Sequence, residues 1–355
     1  MDLRKMFGTL ISGALLLSLA AGCAQNGATS PQASPAGGTP SSGSQQPQGE
    51  PLQVALLLTG YVNDAGFCET CLAGLKRAES ELGVSISYSE AVAQPDFEST
   101  MRDYADQGFD LVICAGNEFS DAALTVATSF PDTKFAVMNG NDAAEPNVAA
   151  YRFNTPETGF LAGALAAMYS ETGTVGFVAG STAPHIQDGV EAFVAGAKYV
   201  NPEIQTLTGY TESWTDVAKG KEMGMAFVEQ GADVVSANAD ACSLGVIDAA
   251  KTTDIIYVGY NTDQNEYAPE NIPVSVIQSN EFLVYSIIEQ TVNGDFAPTL
   301  SLYGMNEGVV AVSDFYDIGV DLTEEEQELL DQIIAGIEDG SLKEQGILTK
   351  SSFEQ

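Results

Sequence analysis

The chain reads as an α/β protein built of two doubly wound parallel-sheet lobes joined by a hinge. Three observations carry that reading. Short β-branched apolar runs alternate with helical patterns from about Pro51 onward, the alternation restarts after residue 153, and two further strand-like runs arrive once the second set is complete. Strands that alternate with helices predict parallel pairing through crossover helices. Strands arriving after two complete lobes imply that the chain passes back between them, which makes a hinge.

The first set opens with VALLL (Val54 to Leu58), followed by a helix from about Phe67, SISYSEA (Ser85 to Ala91) and a helix from Asp96. LVICAG (Leu111 to Gly116), a helix from Ser120 to about Phe130, FAVMN (Phe135 to Asn139) and VAAYRF (Val148 to Phe153) complete it. The second set starts with a helix, ETGFLAGALAAMYS (Glu157 to Ser170), and the buried strand VGFVAG (Val175 to Gly180). A helix from Gln187 to Val200, IQTLTGYT (Ile204 to Thr211), a helix from Val217 to Gln230, ADVVSANA (Ala232 to Ala239) and a helix from Cys242 to Ala250 follow. The late elements are IIYVGYN (Ile255 to Asn261), VSVIQS (Val274 to Ser279), a helix near Phe282 to Val292 and a last helix at Glu324 to Ile337. The expected division is 51–153 plus about 263–303 for one lobe and 154–262 plus about 304–355 for the other.

Upstream of the folded body the residues carry a different message. Arg4 and Lys5 precede an apolar run that ends in small residues and Cys23, the layout of a secretory signal over 1–22. Ala20-Ala21-Gly22-Cys23 resembles a bacterial lipobox, which marks Cys23 for lipidation. Residues 23–50 are dominated by Ser, Gly, Pro, Gln and Ala, a composition that buries no core and suits a flexible tether. No later apolar run approaches the length of a membrane span.

With 13 Lys and Arg against 49 Asp and Glu, the formal charge is −36. Such a balance opposes binding to phosphate backbones, so nucleic acid is not an expected partner. It suits a solvated face on an exported protein and names no ligand.

In open parallel sheets ligands sit beyond the carboxyl ends of the strands. Those ends here carry Asn63 and Asp64 after the first strand, Asn117 after the third, and Asn238, Asp240, Asn261 and Asp263 in the second half. Asn63, Asp64 and Asn117 suit helix capping equally well. An exported, tethered, hinged two-lobe protein has the design of a solute-binding receptor.

Several spaced motifs then occur in a fixed order: NDAGF (Asn63 to Phe67), ETGFLAGALAA (Glu157 to Ala167), VGFVAG, VEAFVAGAKYVNPEI (Val190 to Ile204), YTESWTDVAKGKEM (Tyr210 to Met223), QGADVV (Gln230 to Val235) and VGYNTDQ (Val258 to Gln264). Together they resemble the basic membrane protein family, substrate-binding lipoproteins of ABC importers whose best understood members bind purine nucleosides. The resemblance runs from about Val54 to Glu307 and implies the periplasmic-binding-protein type I fold. It also implies roles by position: Phe67 stacks on the base, Trp214 supplies a second aromatic, and Asp121 reads the base edge. In the motif whose acidic residue binds the ribose hydroxyls, Asn261 replaces the first carboxylate and Asp263 keeps the second. Where the family commonly has a lysine near the late strand, this chain has Gln278. A nucleoside offers flat faces for aromatic stacking, each worth about 1–3 kcal/mol, and vicinal hydroxyls that a carboxylate or amide accepts from.

Cys68-Glu69-Thr70-Cys71 opens the first helix, where the helix dipole lowers a thiol pKa. A redox pair and a structural pair are both open on sequence, and the surroundings lack a thioredoxin pattern. Cys114 and Cys242 stand near strand and helix ends. A single His185, read as a helix-start residue, and the lack of a second CxxC argue against zinc.

The expectation is a lipid-anchored receptor on the extracytoplasmic face of a bacterial membrane. It closes on a small neutral ligand, most simply a purine nucleoside, and delivers it to an ABC permease and its ATPase, with no cofactor and no catalytic step. The rivals are a sugar or other neutral-metabolite binder on the same fold, a thiol-dependent oxidoreductase centred on Cys68 and Cys71, and an adhesin or signalling receptor.

Overall fold

The computed structural model describes residues 51–352 apart from 64–66 and 141. The expected signal segment, the Cys23 lipidation position, the linker 23–50 and Asp64 lie outside the described residues.

Chain order begins β1 (Gln53–Leu58), α1 (Phe67–Leu82), β2 (Ser85–Ser89), α2 (Phe97–Asp106), β3 (Leu111–Ala115), α3 (Ser120–Ala127), β4 (Lys134–Met138) and β5 (Val148–Phe153). The second set is α4 (Thr155–Tyr169), β6 (Thr174–Ala179), α5 (Pro184–Val200), β7 (Gln205–Tyr210), α6 (Val217–Glu229), β8 (Val234–Asn238), α7 (Ala241–Thr253), β9 (Ile256–Asn261) and β10 (Ser275–Gln278). The chain then forms α8 (Asn280–Asn293), β11 (Leu300–Tyr303), β12 (Val310–Val312), α9 (Glu324–Glu338) and α10 (Ser341–Glu344).

Two six-stranded sheets result, ordered β11-β5-β4-β3-β1-β2 and β12-β10-β9-β8-β6-β7. All pairings are parallel except β10 with β12. The period of two explains how β1 works: Val54, Leu56 and Leu58 enter one apolar cluster with α1 and α8, while Ala55 and Leu57 enter another with α2 and α3. The second sheet is covered in the same way, by α4, α5 and α9 on one face and α6 and α7 on the other.

All fifteen residues of α4 are buried, so this helix lies inside the molecule rather than along its surface. Glycines make that possible. A β-carbon on Gly163 would stand 2.0 Å from the Phe193 carbonyl oxygen, and one on Gly196 would stand 2.0 Å from that of Phe160. The two helix backbones therefore touch directly.

Three segments pass between the sheets: from β5 to α4, from β10 to α8, and from β11 to β12. The second crossing corrects the expected division, in which about 263–303 joined the first lobe. β10 instead pairs with β9 in the second sheet, with Ser275 beside Gly259, and Val274 and Val276 join the second sheet's core. The second crossing comes at Ser279, whose side chain caps α8 through the Phe282 amide at 3.0 Å. α8 then packs on α1, where the Glu281 carbonyl oxygen lies 2.3 Å from where a β-carbon on Gly74 would be. Sequence reading missed β11 and β12, which are four and three residues long.

Candidate ligand-binding site

At the carboxyl ends of the second sheet's strands, an aromatic ring and a pair of amides form one connected surface. Trp214, in the segment after β7, lies on the backbone of Gly180, which directly follows β6. A β-carbon at Gly180 would come within 2.3–2.8 Å of three indole carbons, so only glycine leaves the ring this seat. The Gly180 amide donates to the Asn238 carbonyl at 2.9 Å. The Asn238 side chain in turn accepts from the Asn261 Nδ2 at 3.1 Å. Trp214, Gly180, Asn238 and Asn261 are thereby linked in sequence across β6, β8 and β9.

Backbone conformation sets these side chains apart from the core. Asn261 has φ 71°, and Asp240, which precedes α7, has φ 44°. Asparagine and aspartate tolerate this left-handed region better than most residues, and such geometry concentrates at functional sites. Asn261 Oδ1 is buried with no hydrogen-bond partner among the described residues. As an amide oxygen it can accept a hydrogen bond. Tyr260, between these polar positions, points the other way and meets Phe177 edge-on at 5.5 Å.

The remaining candidates fall in different places. Asp263 is exposed, accepts from the Asn265 amide at 3.2 Å and from the Tyr316 hydroxyl, and is not part of the Asn238–Asn261 pair. Gln278 Oε1 accepts from Thr158 Oγ1 at 3.2 Å, which places it at the second crossing against the first turn of α4. In the first sheet, Phe67 is half-buried at the start of α1 and Asn63 is exposed in the turn before it. That turn is tied to the end of β2 by the Ala91 amide on the Gly60 carbonyl at 2.9 Å and the Val62 amide on Glu90 at 2.9 Å. Asn117 is exposed in a turn that opens with Gly116 at φ 140°. Asp121, in the first turn of α3, lines a groove of about 610 Å³ with Gln94, Phe97 and Arg102 among its other walls. Neither Phe67 nor Trp214 lines that groove.

The cysteines are buried. Cys68 and Cys71 lie on the core face of α1, packed with Leu72 and Leu75, and Cys68 Sγ sits 2.9 Å from where a β-carbon on Gly60 would stand. Burial pushes the Cys114 thiol up, away from the thiolate that redox chemistry needs. His185 lies in the first turn of α5, and burial together with the nearby Arg152 lowers its pKa. Among the described residues no group of three or more His, Cys, Asp or Glu side chains could hold a metal ion. No described helix is long and apolar enough to cross a membrane.

Sequence reading expected the chain to cross back between the lobes but did not single out the side chain that fastens the crossings. Glu157 lies in the first turn of α4, 9% exposed, and burial raises its carboxyl to about 7, with Glu307 adding to the rise. An acid opening an otherwise apolar run, ETGFLAGALAAMYS, was the available signal. The seat at Gly180 is marked only by a glycine at the end of VGFVAG.

Two six-stranded, largely parallel sheets joined by three crossings form the fold that this chain shares with ABC transporter solute-binding proteins. A model of the Bmp family, described as ABC transporter substrate-binding protein PnrA-like, matches residues 52–343, and the chain belongs to that family. It is 29% identical over 269 residues to the transcriptional activator protein med of Bacillus subtilis, covering 76% of this chain and 84% of that one. It is 27% identical over 298 residues to a purine-binding protein of Brucella abortus, covering 82% and 83%. Its fold matches that of an ABC transporter solute-binding protein from Aeropyrum pernix with a TM-score of 0.71 at 22% identity, covering 82% of this chain and 92% of the other.

Proposed function

We propose that the protein captures a purine nucleoside between the carboxyl ends of its two sheets and delivers it to an ABC permease. The observation that carries this reading is the connected surface of Trp214, Gly180, Asn238 and Asn261, which sets an aromatic face beside a buried, unfilled amide acceptor. A nucleoside needs both features, one for its base and one for its hydroxyls. In this reading Phe67 covers the opposite face of the base, with Asn63 and Asn117 at the same wall, and Asp240 and Gln278 at the rim. Asp121 and Asp263 take secondary places, because one lines a groove beside α2 and the other engages Tyr316. The purine-binding relative supports the choice of ligand class.

The three crossings act as the hinge, and ligand contacts from both sheets favour the closed arrangement by differential affinity. The signal-like segment and Cys23 are read as a lipid anchor that holds the protein on the extracytoplasmic face of the membrane.

The reading is tested on the body from residue 51 onward, refolded after denaturation to strip bound ligand. Thermal unfolding is followed with purine and pyrimidine nucleosides, free bases, sugars and amino acids. Ligand at about a hundred times its Kd adds about 2.7 kcal/mol of stability, which such a scan resolves. A shift with adenosine, guanosine or inosine and none with sugars supports the proposal. A shift confined to sugars transfers the protein to the neutral-metabolite reading that the departures at Asn261 and Gln278 leave open.

A further inference from the structure

The segment that carries Trp214 is fastened at Ser213. The Ser213 carbonyl oxygen accepts from Thr211 Oγ1 at 2.7 Å and from Cys242 Sγ at 3.0 Å. Its amide donates to the Gly180 carbonyl at 3.0 Å, and its hydroxyl accepts from the Asp216 amide at 3.1 Å. Ser213 is thus held on every polar side, one residue before the indole.

Cys242 is fully buried in the first turn of α7, and nothing in the proposed binding reaction has used it. Its own backbone is fixed, because a β-carbon on Gly220 of α6 would lie 2.0 Å from the Cys242 carbonyl oxygen. The thiol therefore reaches the Trp214 segment from a helix packed backbone to backbone against α6. A thiol is a small, soft donor, and here it spans the gap between α7 and the segment after β7.

We infer that Cys242 is a positioning residue for Trp214: by holding the Ser213 carbonyl together with Thr211, it keeps the indole seated on Gly180 with its outer face turned to solvent. The indole is 36% exposed, as a ring with one face covered and one face offered would be. The consequence for affinity rests on the reading of Trp214 as a ligand contact. The positioning itself does not. It gives one buried cysteine of this chain a conformational duty without a disulfide, a metal or a redox cycle.

Because the chain has a single tryptophan, its fluorescence reports this segment alone. The experiment compares wild type with Cys242→Ala, Cys242→Ser and Thr211→Val by emission maximum, acrylamide quenching and inosine affinity, with circular dichroism as the check on folding. Cys242→Ala is expected to raise the quenching constant and to weaken inosine binding about two- to tenfold, the loss of one hydrogen bond's worth of seating. Cys242→Ser, which keeps a donor, is expected to restore both, and Thr211→Val to reproduce the alanine effect. Unchanged emission and quenching in folded Cys242→Ala and Thr211→Val overturns the inference. Altered quenching in a protein that binds no nucleoside upholds the positioning and removes the nucleoside reading, so the two claims fail separately.

Discussion

The Glu157 carboxylate accepts a hydrogen bond from the Met305 amide at 2.7 Å, tying the first crossing between the sheets to the third. Its other oxygen accepts from Asn154 Nδ2 at 2.6 Å, on the strand side of the same crossing. Gly304 packs so closely that a β-carbon there would stand 2.2 Å from the carboxylate. One side chain thus fastens two of the three segments on which any movement of the lobes would turn.

Stability is expected to fall as pH rises from about 4.5 to about 7 because of that carboxyl. Burial, with Glu307 nearby, raises it from 4.5 to about 7, while the Met305 amide, Asn154 and Lys343 oppose the rise. Between those two values the folded protein holds a proton that the unfolded chain has released, so its contribution is complete below pH 4.5 and is lost by about pH 7. The amount is on the order of 3 kcal/mol. Glu157→Gln has no charge to bury and should flatten this slope in thermal unfolding measured from pH 5 to 8. A variant with the wild-type slope would assign the pH dependence to other groups.

A methyl group on Gly163 is expected to cost about 3 kcal/mol or more, at the upper end of overpacking penalties. The atom it meets, the Phe193 carbonyl oxygen, belongs to a helix backbone with no room to retreat. Chemical denaturation of Gly163→Ala checks this. A loss below 1 kcal/mol would mean that α4 and α5 can separate without damage to the core.

The fold was legible in the sequence because buried parallel strands such as VALLL and LVICAG are apolar on both faces and cannot be placed on a surface. The ends of the chain's crossings were less legible. β10 looks like a first-lobe strand by its late position, and only its pairing with β9 assigns it to the second sheet. Asn238 and Asn261 stood out as amides at strand ends, and Phe67 and Trp214 through the family resemblance. What joins Trp214 to the two amides, the bare backbone of Gly180, and what fastens its segment, the thiol of Cys242, are small and apolar in sequence and gain meaning only from the residues brought against them. Asp121 lines a groove beside α2, and Asp263 accepts from the Tyr316 hydroxyl, placements that spacing in the sequence does not reveal.

Gly180→Ala should unseat Trp214 while leaving the strand intact. The added methyl would overlap the indole carbons, and the side chain that moves is partly exposed, so the disturbance stays local. Nucleoside affinity is expected to drop about tenfold or more, approaching the loss in Trp214→Ala, since stacking on one ring is worth about 1–3 kcal/mol. Isothermal titration with unfolding temperatures measured in parallel separates the two effects. Undiminished affinity in both variants would remove the indole from the binding surface.

Asn261→Asp tests whether the amide at this position sets the preference for the sugar. The backbone there is left-handed, and aspartate accepts that conformation nearly as well as asparagine. In the natural protein Asn261 donates to Asn238, which leaves one acceptor oxygen for a ligand. With aspartate, Asn238 must turn its amide to donate, and the new carboxylate offers charged acceptors to a pair of hydroxyls. Hydrogen bonds to a charged partner exceed neutral ones by about 1 kcal/mol. The variant should therefore favour a ribonucleoside over its 2′-deoxy counterpart about fivefold to tenfold more than the natural protein does. Calorimetric titration with inosine and 2′-deoxyinosine gives the ratio. An unchanged ratio would place the sugar hydroxyls away from Asn261, and would turn attention to Gln278 at the second crossing.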